Sequence, residues 1–123
     1  MILSRLLAPF ACLNGAMAVA LGAFAAHGAG PAVKTLLTTG AQYQMIHALL
    51  ALVCVLWPSR DRLILIAGWM AAAGGLIFSL ALSAIALLSL KAMGAVAPIG
   101  GLLMILAWLL LAVCALRAPS KPA

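Results

Sequence analysis

Long apolar runs separated by short polar breaks dominate this sequence. Four runs, at residues 6–26, 41–57, 63–88 and 98–116, have about the length of roughly 20 residues that a helix needs to cross a bilayer. The breaks between them hold five of the eight charged residues as well as Pro31 and Pro58, residue types that mark the membrane boundary or end helices. The pattern predicts an all-α membrane protein, a single four-helix transmembrane bundle, followed by a short basic tail at 117–123.

The connection between the first two runs has its own pattern. Gly30-Pro31 is typical of a helix start and Gly40 of a helix stop. Between them one face would be apolar and the other would carry Lys34 and three threonines, which indicates a short amphipathic helix at the membrane surface. We therefore expect a surface helix between transmembrane helices 1 and 2.

Composition agrees with a membrane protein. Of 123 residues 68% are hydrophobic and only 7% are charged, too few polar side chains to cover a soluble globule. The net charge of +6 comes from basic residues that are scattered singly instead of clustering, so it does not indicate a nucleic-acid surface. The partner that composition predicts is the lipid bilayer.

The positions of the cations predict an orientation. Lys34 and Lys91 lie on one side of a four-span bundle, and the other five cations lie on the opposite side: Arg5, Arg60, Arg62, Arg117 and Lys121. Since basic residues accumulate on the cytoplasmic side, we expect a bacterial inner-membrane protein with both termini in the cytoplasm.

The first run has an alternative interpretation as a cleaved signal peptide. Ala23-Phe24-Ala25 resembles a cleavage site after a basic start. The apolar run is longer than the roughly 7 to 15 residues of a signal peptide, and it carries Asn14 and Gly15 inside it. We favour the interpretation that this run is a retained transmembrane helix, and cleavage remains the alternative.

Several polar side chains fall within or beside the predicted spans. Because a polar group in hydrocarbon is costly unless it finds a partner, these side chains should face protein and mark a structural or functional cluster. The candidate cluster comprises Asn14, His27, Gln42, Tyr43, Gln44 and His47.

Small residues recur at helical spacing in three of the spans. Such stripes let helix backbones approach closely in lipid, where van der Waals contact replaces the hydrophobic drive. The predicted packing positions are Gly15, Ala18, Gly22, Ala71, Gly75, Ser79, Ser83, Gly100 and Gly101. They exceed what four short helices need among themselves, which suggests docking on another membrane protein or on a second copy.

Catalytic and cofactor chemistry is poorly supported by the residues. Haem ligation by His27 and His47 would need both imidazoles at one depth, whereas the predicted spans separate them by about 7–10 Å. A metal site would lack a third ligand, and Asp61, the single acidic residue, lies in a turn on the other side of the membrane. We therefore predict no enzyme activity, no cofactor and no bound metal.

Two functional hypotheses remain. The favoured one is a non-catalytic accessory or interaction subunit. The alternative is a small transporter or channel whose polar path runs near Gln42, Tyr43, Gln44, His47 and Asn14. Both rest on the same polar residues, so the sequence alone does not separate them.

Three strings also carry a family resemblance: Gly22-Ala23-Phe24-Ala25-Ala26-His27, Gln42-Tyr43-Gln44-Met45-Ile46-His47-Ala48-Leu49 and Pro98-Ile99-Gly100-Gly101. They resemble the signatures of the small membrane family called domain of unknown function 423, which includes the eukaryotic transmembrane protein 256. The resemblance covers nearly the whole chain and implies four spans in an inner-membrane or mitochondrial setting. It implies no established activity.

Overall fold

Four long helices make up the computed structural model, which describes residues 2–59 and 61–117. They are α1 (Ile2–His27), α2 (Pro31–Leu56), α3 (Arg62–Leu88) and α4 (Ala97–Arg117), with a 3-10 turn at Lys91–Ala95 before α4. All four are long and apolar enough to cross a membrane, and the described ranges contain no strand. The prediction of an all-α protein with four such helices is confirmed. The predicted basic tail, beyond Arg117, lies outside the described residues.

Helices that follow one another in the chain pack antiparallel. The central pair is α2 and α3; α1 lies against α2 and touches α3 over a smaller area, while α4 packs along α3. The two outer helices leave much of their apolar surface exposed. We call the end of the bundle where α1 begins and α4 ends the termini end, and the opposite end the loop end.

The prediction of a separate surface helix between the first two spans was wrong. Helix α2 runs unbroken from Pro31 through Gly40 to Leu56. Gly40 is buried against α3, where an added Cβ would lie 3.2 Å from the Ser79 Cα. A glycine that resembles a helix stop is therefore a point of close contact between two helices.

Two of the three threonines of that segment bond their hydroxyls within the helix. The Thr35 hydroxyl donates to the Pro31 carbonyl at 3.3 Å, and the Thr39 hydroxyl donates to the Thr35 carbonyl at 2.9 Å. Hydroxyls bonded to the preceding turn are compatible with an apolar environment. The apparent polar face thus does not require a position at the membrane surface.

A continuous α2 changes the depth of its polar residues. Its 26 residues extend about 39 Å, longer than the roughly 30 Å hydrocarbon core. His47 lies about 14 Å from Leu56 at the termini end, which is near the middle of the bilayer. The polar residues of α2 are therefore deeper than the sequence pattern suggested.

Asp61 sets the start of α3. Its Oδ1 accepts a hydrogen bond from the Leu63 backbone N–H at 3.0 Å, and its own N–H donates to the Ser59 hydroxyl at 3.2 Å. A carboxylate at the N-terminus of a helix satisfies a free N–H and opposes the positive end of the helix dipole. The single acidic residue therefore serves as a helix cap.

Candidate functional site

The first polar contact within the membrane joins α1 to α2. The Gln44 amide donates to Asn14 Oδ1 at 2.9 Å, and the Asn14 amide donates to the Phe10 carbonyl at 3.0 Å. Asn14 is 3% exposed and Gln44 1% exposed. Helix α3 covers the pair through Gly75, where a Cβ would lie 3.3 Å from the Gln44 Cα. This hydrogen bond is thus enclosed by three helices.

The second polar contact joins α4 to α2. The indole N–H of Trp108 donates to His47 Nε2 at 2.9 Å, and His47 Nδ1 lies 2.7 Å from the Tyr43 carbonyl. Because Nε2 must accept, the proton belongs on Nδ1, which then donates to the carbonyl. His47 is therefore assigned as the neutral Nδ1–H tautomer, with both ring nitrogens occupied.

Trp108 is the member of this site that the sequence did not predict. It lies 61 residues from His47 in an otherwise apolar run. A tryptophan away from the ends of a span does carry a signal, since a buried indole N–H needs an acceptor. The sequence could show that need without showing which acceptor meets it.

A lateral groove of about 450 Å³ opens beside the His47–Trp108 pair, between α2 and α4. Phe78 of α3 forms its floor, and Tyr43 packs edge-on against that ring with 5.3 Å between centroids. Along α2 it extends from Thr39 to His47, about 12 Å. The lining residues are Thr39, Tyr43, His47, Phe78, Gly101, Met104, Ile105 and Trp108. We call it the α2–α4 groove.

The structure does not bring all six predicted polar residues together. His27 is exposed at the loop end of α1, and Gln42 is exposed on α2. Gln42 and Gln44 are two residues apart on a helix, so their side chains point roughly 200° apart. When one faces the bundle interior, the other faces outward. The predicted single cluster is instead two separate contacts, Asn14 with Gln44 and His47 with Trp108.

The predicted small-residue positions divide into contacts and open positions. Gly100 packs against α3, where an added Cβ would lie 2.6 Å from the Phe78 nitrogen and 2.7 Å from the Gly74 oxygen. Gly15 and Gly101 have no atom within 4 Å of such a Cβ. Of the rest, Gly22 lies 4.0 Å by the same measure from Ala41, and Ala18, Ala71, Gly75 and Ser79 are buried. Ser83 is partly buried, and its hydroxyl, like that of Ser79, has no partner among the described residues.

The chemistry open to this site is hydrogen bonding. His47 Nε2 is occupied by the Trp108 N–H, so it cannot act as a base or a metal ligand unless that bond breaks. Within residues 2–59 and 61–117, no three His, Cys, Asp or Glu side chains lie close enough to hold a metal ion. The arrangement holds helices in register.

The Asn14–Gln44 bond gives a measurable prediction. Replacing either residue by alanine, and then both, should show a coupling of roughly 0.6 to 1.7 kcal/mol in the free energy of unfolding, as interhelical hydrogen bonds in membranes do. Unfolding in mixed detergent micelles measures it. The matched control is the pair Asn14 and Gln42, which should show no coupling because Gln42 faces away. Equal coupling in both pairs would refute the contact.

The fold and the two contacts define a class: a small membrane protein with four transmembrane-capable helices and buried interhelical hydrogen bonds. The sequence matches the family described as "Protein of unknown function (DUF423)" over residues 21–101. The chain belongs to this family, as the resemblance implied.

Relatives from several bacteria are membrane proteins. The UPF0382 membrane protein YwdK of Bacillus subtilis is 34% identical over 112 residues, covering 85% of this chain and 91% of that protein. A UPF0382 membrane protein of Staphylococcus epidermidis is 36% identical over 110 residues, covering 85% and 90%. One from Haemophilus influenzae is 34% identical over 115 residues, covering 88% and 91%. No solved structure matches the chain.

Proposed function

We propose that this protein is a non-catalytic interaction subunit that binds a transmembrane helix of another membrane protein in the α2–α4 groove. The observation that supports this is a division of roles among the polar and apolar groups. The Asn14 amide, the Gln44 amide nitrogen and the His47 imidazole bond to the chain's own helices, and Gln44 Oε1 has no partner among the described residues. The groove beside them remains open to the bilayer.

The shape of the groove favours a helix as its occupant. It runs along α2 for about 12 Å, two helical turns, which matches a ridge of side chains at spacings of three and four residues. Its walls are mostly apolar or aromatic, and Gly101 leaves space for close approach of a partner backbone.

We place the protein in the bacterial inner membrane with the termini end in the cytoplasm. Relatives are bacterial membrane proteins. Arg5, Arg62 and Arg117 lie at or near helix ends at the termini end, whereas Lys34 and Lys91 lie toward the loop end. The excess of cations at the termini end supports this orientation.

A transporter path is supported less well. It would need the polar side chains on one continuous surface, but Asn14 and Gln44 are enclosed by three helices while Gln42 faces outward. Of the five residues proposed for that path, Tyr43 and His47 line the groove, and the lining is otherwise nearly all apolar. A groove of this kind suits packing better than passage of a polar solute.

Photo-crosslinking in native membranes tests the proposal. A photoreactive amino acid at Ile105, in the groove, should yield one discrete adduct with a specific membrane protein. The control is Leu106, which is exposed at nearly the same depth but points about 100° away, and it should yield only lipid adducts. Gly101→Leu, whose Cβ would have no atom within 4 Å, should fill part of the groove and abolish the Ile105 adduct.

The other outcomes refute the proposal. Lipid adducts alone at Ile105 would mean that the groove binds no protein. An adduct with a second copy of this chain would replace the proposed partner by self-association. Equal protein adducts at Ile105 and Leu106 would mean that contact is unspecific.

A further inference from the structure

A second cavity lies at the termini end, well away from the α2–α4 groove. It has a volume of about 630 Å³ and is bounded by the first turns of α1, the end of α2 and the start of α3. Trp57 lines it, and tryptophan favours the boundary between hydrocarbon and water. The cavity is therefore at the level of the lipid headgroups.

The polar lining of this cavity contains charges of both signs. Arg5 of α1 and Asp61, the only acidic residue of the chain, at the start of α3, both line it. The last carbonyls of α2 add the negative end of a helix dipole beside the carboxylate. One cavity thus offers a site for an anion and a site for a cation.

Its apolar lining extends the cavity toward the hydrocarbon. Val55 and Leu56 line one wall, and Ile64 and Leu65 line the facing wall on α3. A molecule that satisfied all of these surfaces would have a head with two opposite charges and an apolar chain. Free phosphate or a simple fatty acid would use only the guanidinium, and neither would bring a cation to the Asp61 carboxylate, whose Oδ1 already accepts from the Leu63 N–H.

We propose that this cavity binds a phospholipid whose headgroup carries both a phosphate and a primary ammonium, as phosphatidylethanolamine does. The phosphate pairs with the Arg5 guanidinium, which donates several N–H groups to phosphate oxygens. The ammonium donates to the Asp61 carboxylate and the end of α2. The acyl chains begin along the apolar walls.

The Asp61 carboxylate distinguishes phosphatidylethanolamine from other phospholipids. Phosphatidylcholine carries the same two charges, but its quaternary ammonium has no N–H to donate. Phosphatidylglycerol has the phosphate without a cation, so it would give the Asp61 carboxylate no ammonium partner. Binding by Arg5 alone would rank the anionic lipid first, and binding by both groups ranks the primary ammonium first.

Lipid retention by the full chain tests this. After reconstitution in equimolar phosphatidylethanolamine, phosphatidylcholine and phosphatidylglycerol, native mass spectrometry of the detergent-extracted protein counts bound lipids. We expect about tenfold enrichment of phosphatidylethanolamine over each of the others, a factor corresponding to about 1.4 kcal/mol. Equal retention of the three, or preference for phosphatidylglycerol, would overturn the proposal.

Two variants test separately the roles of the Asp61 carboxylate and the Arg5 guanidinium. Asn caps a helix about as well as Asp, so Asp61→Asn should unfold at the same denaturant concentration as the native chain yet lose the preference over phosphatidylcholine. Arg5→Gln should lower retention of all phospholipids together, while Lys34→Gln at the loop end should change nothing. An Asp61→Asn variant that kept the full preference would contradict the assigned role of the carboxylate. The outcome is independent of whether the α2–α4 groove binds a helix.

Discussion

Gly100→Ala should lower the free energy of unfolding by about 3 kcal/mol, the upper range for an overpacked core. The added methyl would lie 2.6 Å from the Phe78 nitrogen and 2.7 Å from the Gly74 oxygen. Both are backbone atoms, so no side-chain rotation relieves the contact and α4 must move away from α3. Titration with a denaturing detergent in mixed micelles measures the loss.

The neighbouring glycine is the matched control. Gly101→Ala places its methyl in open space, with no atom within 4 Å, and should leave stability unchanged or raise it by up to about 1 kcal/mol through helix propensity. The two variants make the same chemical change at neighbouring positions. Equal losses for both would mean that α4 is rotated relative to the arrangement described above.

His47→Ala should cost about 3 kcal/mol as well. It removes the acceptor of the Trp108 N–H, and a donor left without a partner away from water costs about 1–3 kcal/mol. It also leaves a cavity where the imidazole packed edge-on against the indole at 5.9 Å between centroids. The same detergent titration reports the change.

Two further variants isolate the hydrogen bond from the packing. Trp108→Phe removes the donor and retains a ring, and combined with His47→Ala it should cost clearly less than the sum of the two single changes. His27→Ala, at an exposed position, should have almost no effect. Additive losses at His47 and Trp108 would show that the two residues do not interact.

The sequence predicted the four spans because a run of apolar residues near the thickness of a bilayer is a local signal. It failed between residues 31 and 40, where a glycine and three threonines were interpreted as a surface helix. Residue 40 is a glycine because the Ser79 backbone of α3 lies too close for a larger side chain. A local sequence pattern does not reveal which residue of another helix will be its neighbour. The same applies to Asp61, whose role depends on the point at which α3 begins.

For the candidate site, the sequence showed which side chains needed partners and not which partners they have. Asn14 and Gln44 are 30 residues apart, and His47 and Trp108 are 61 residues apart. Pairing at such distances depends on the relative rotation and depth of packed helices. Gly100 and Gly101 make the point most simply, since a rotation of about 100° separates a tight contact from open space.

The most direct test of the hydrogen-bonded arrangement is solid-state NMR of imidazole-labelled His47 in bilayers at neutral pH. The two bonds to its ring predict a single neutral tautomer with the proton on Nδ1, an Nε2 that accepts from an indole N–H, and loss of that coupling in Trp108→Phe. A proton on Nε2, or a spectrum unchanged by Trp108→Phe, would show that His47 does not join α2 to α4.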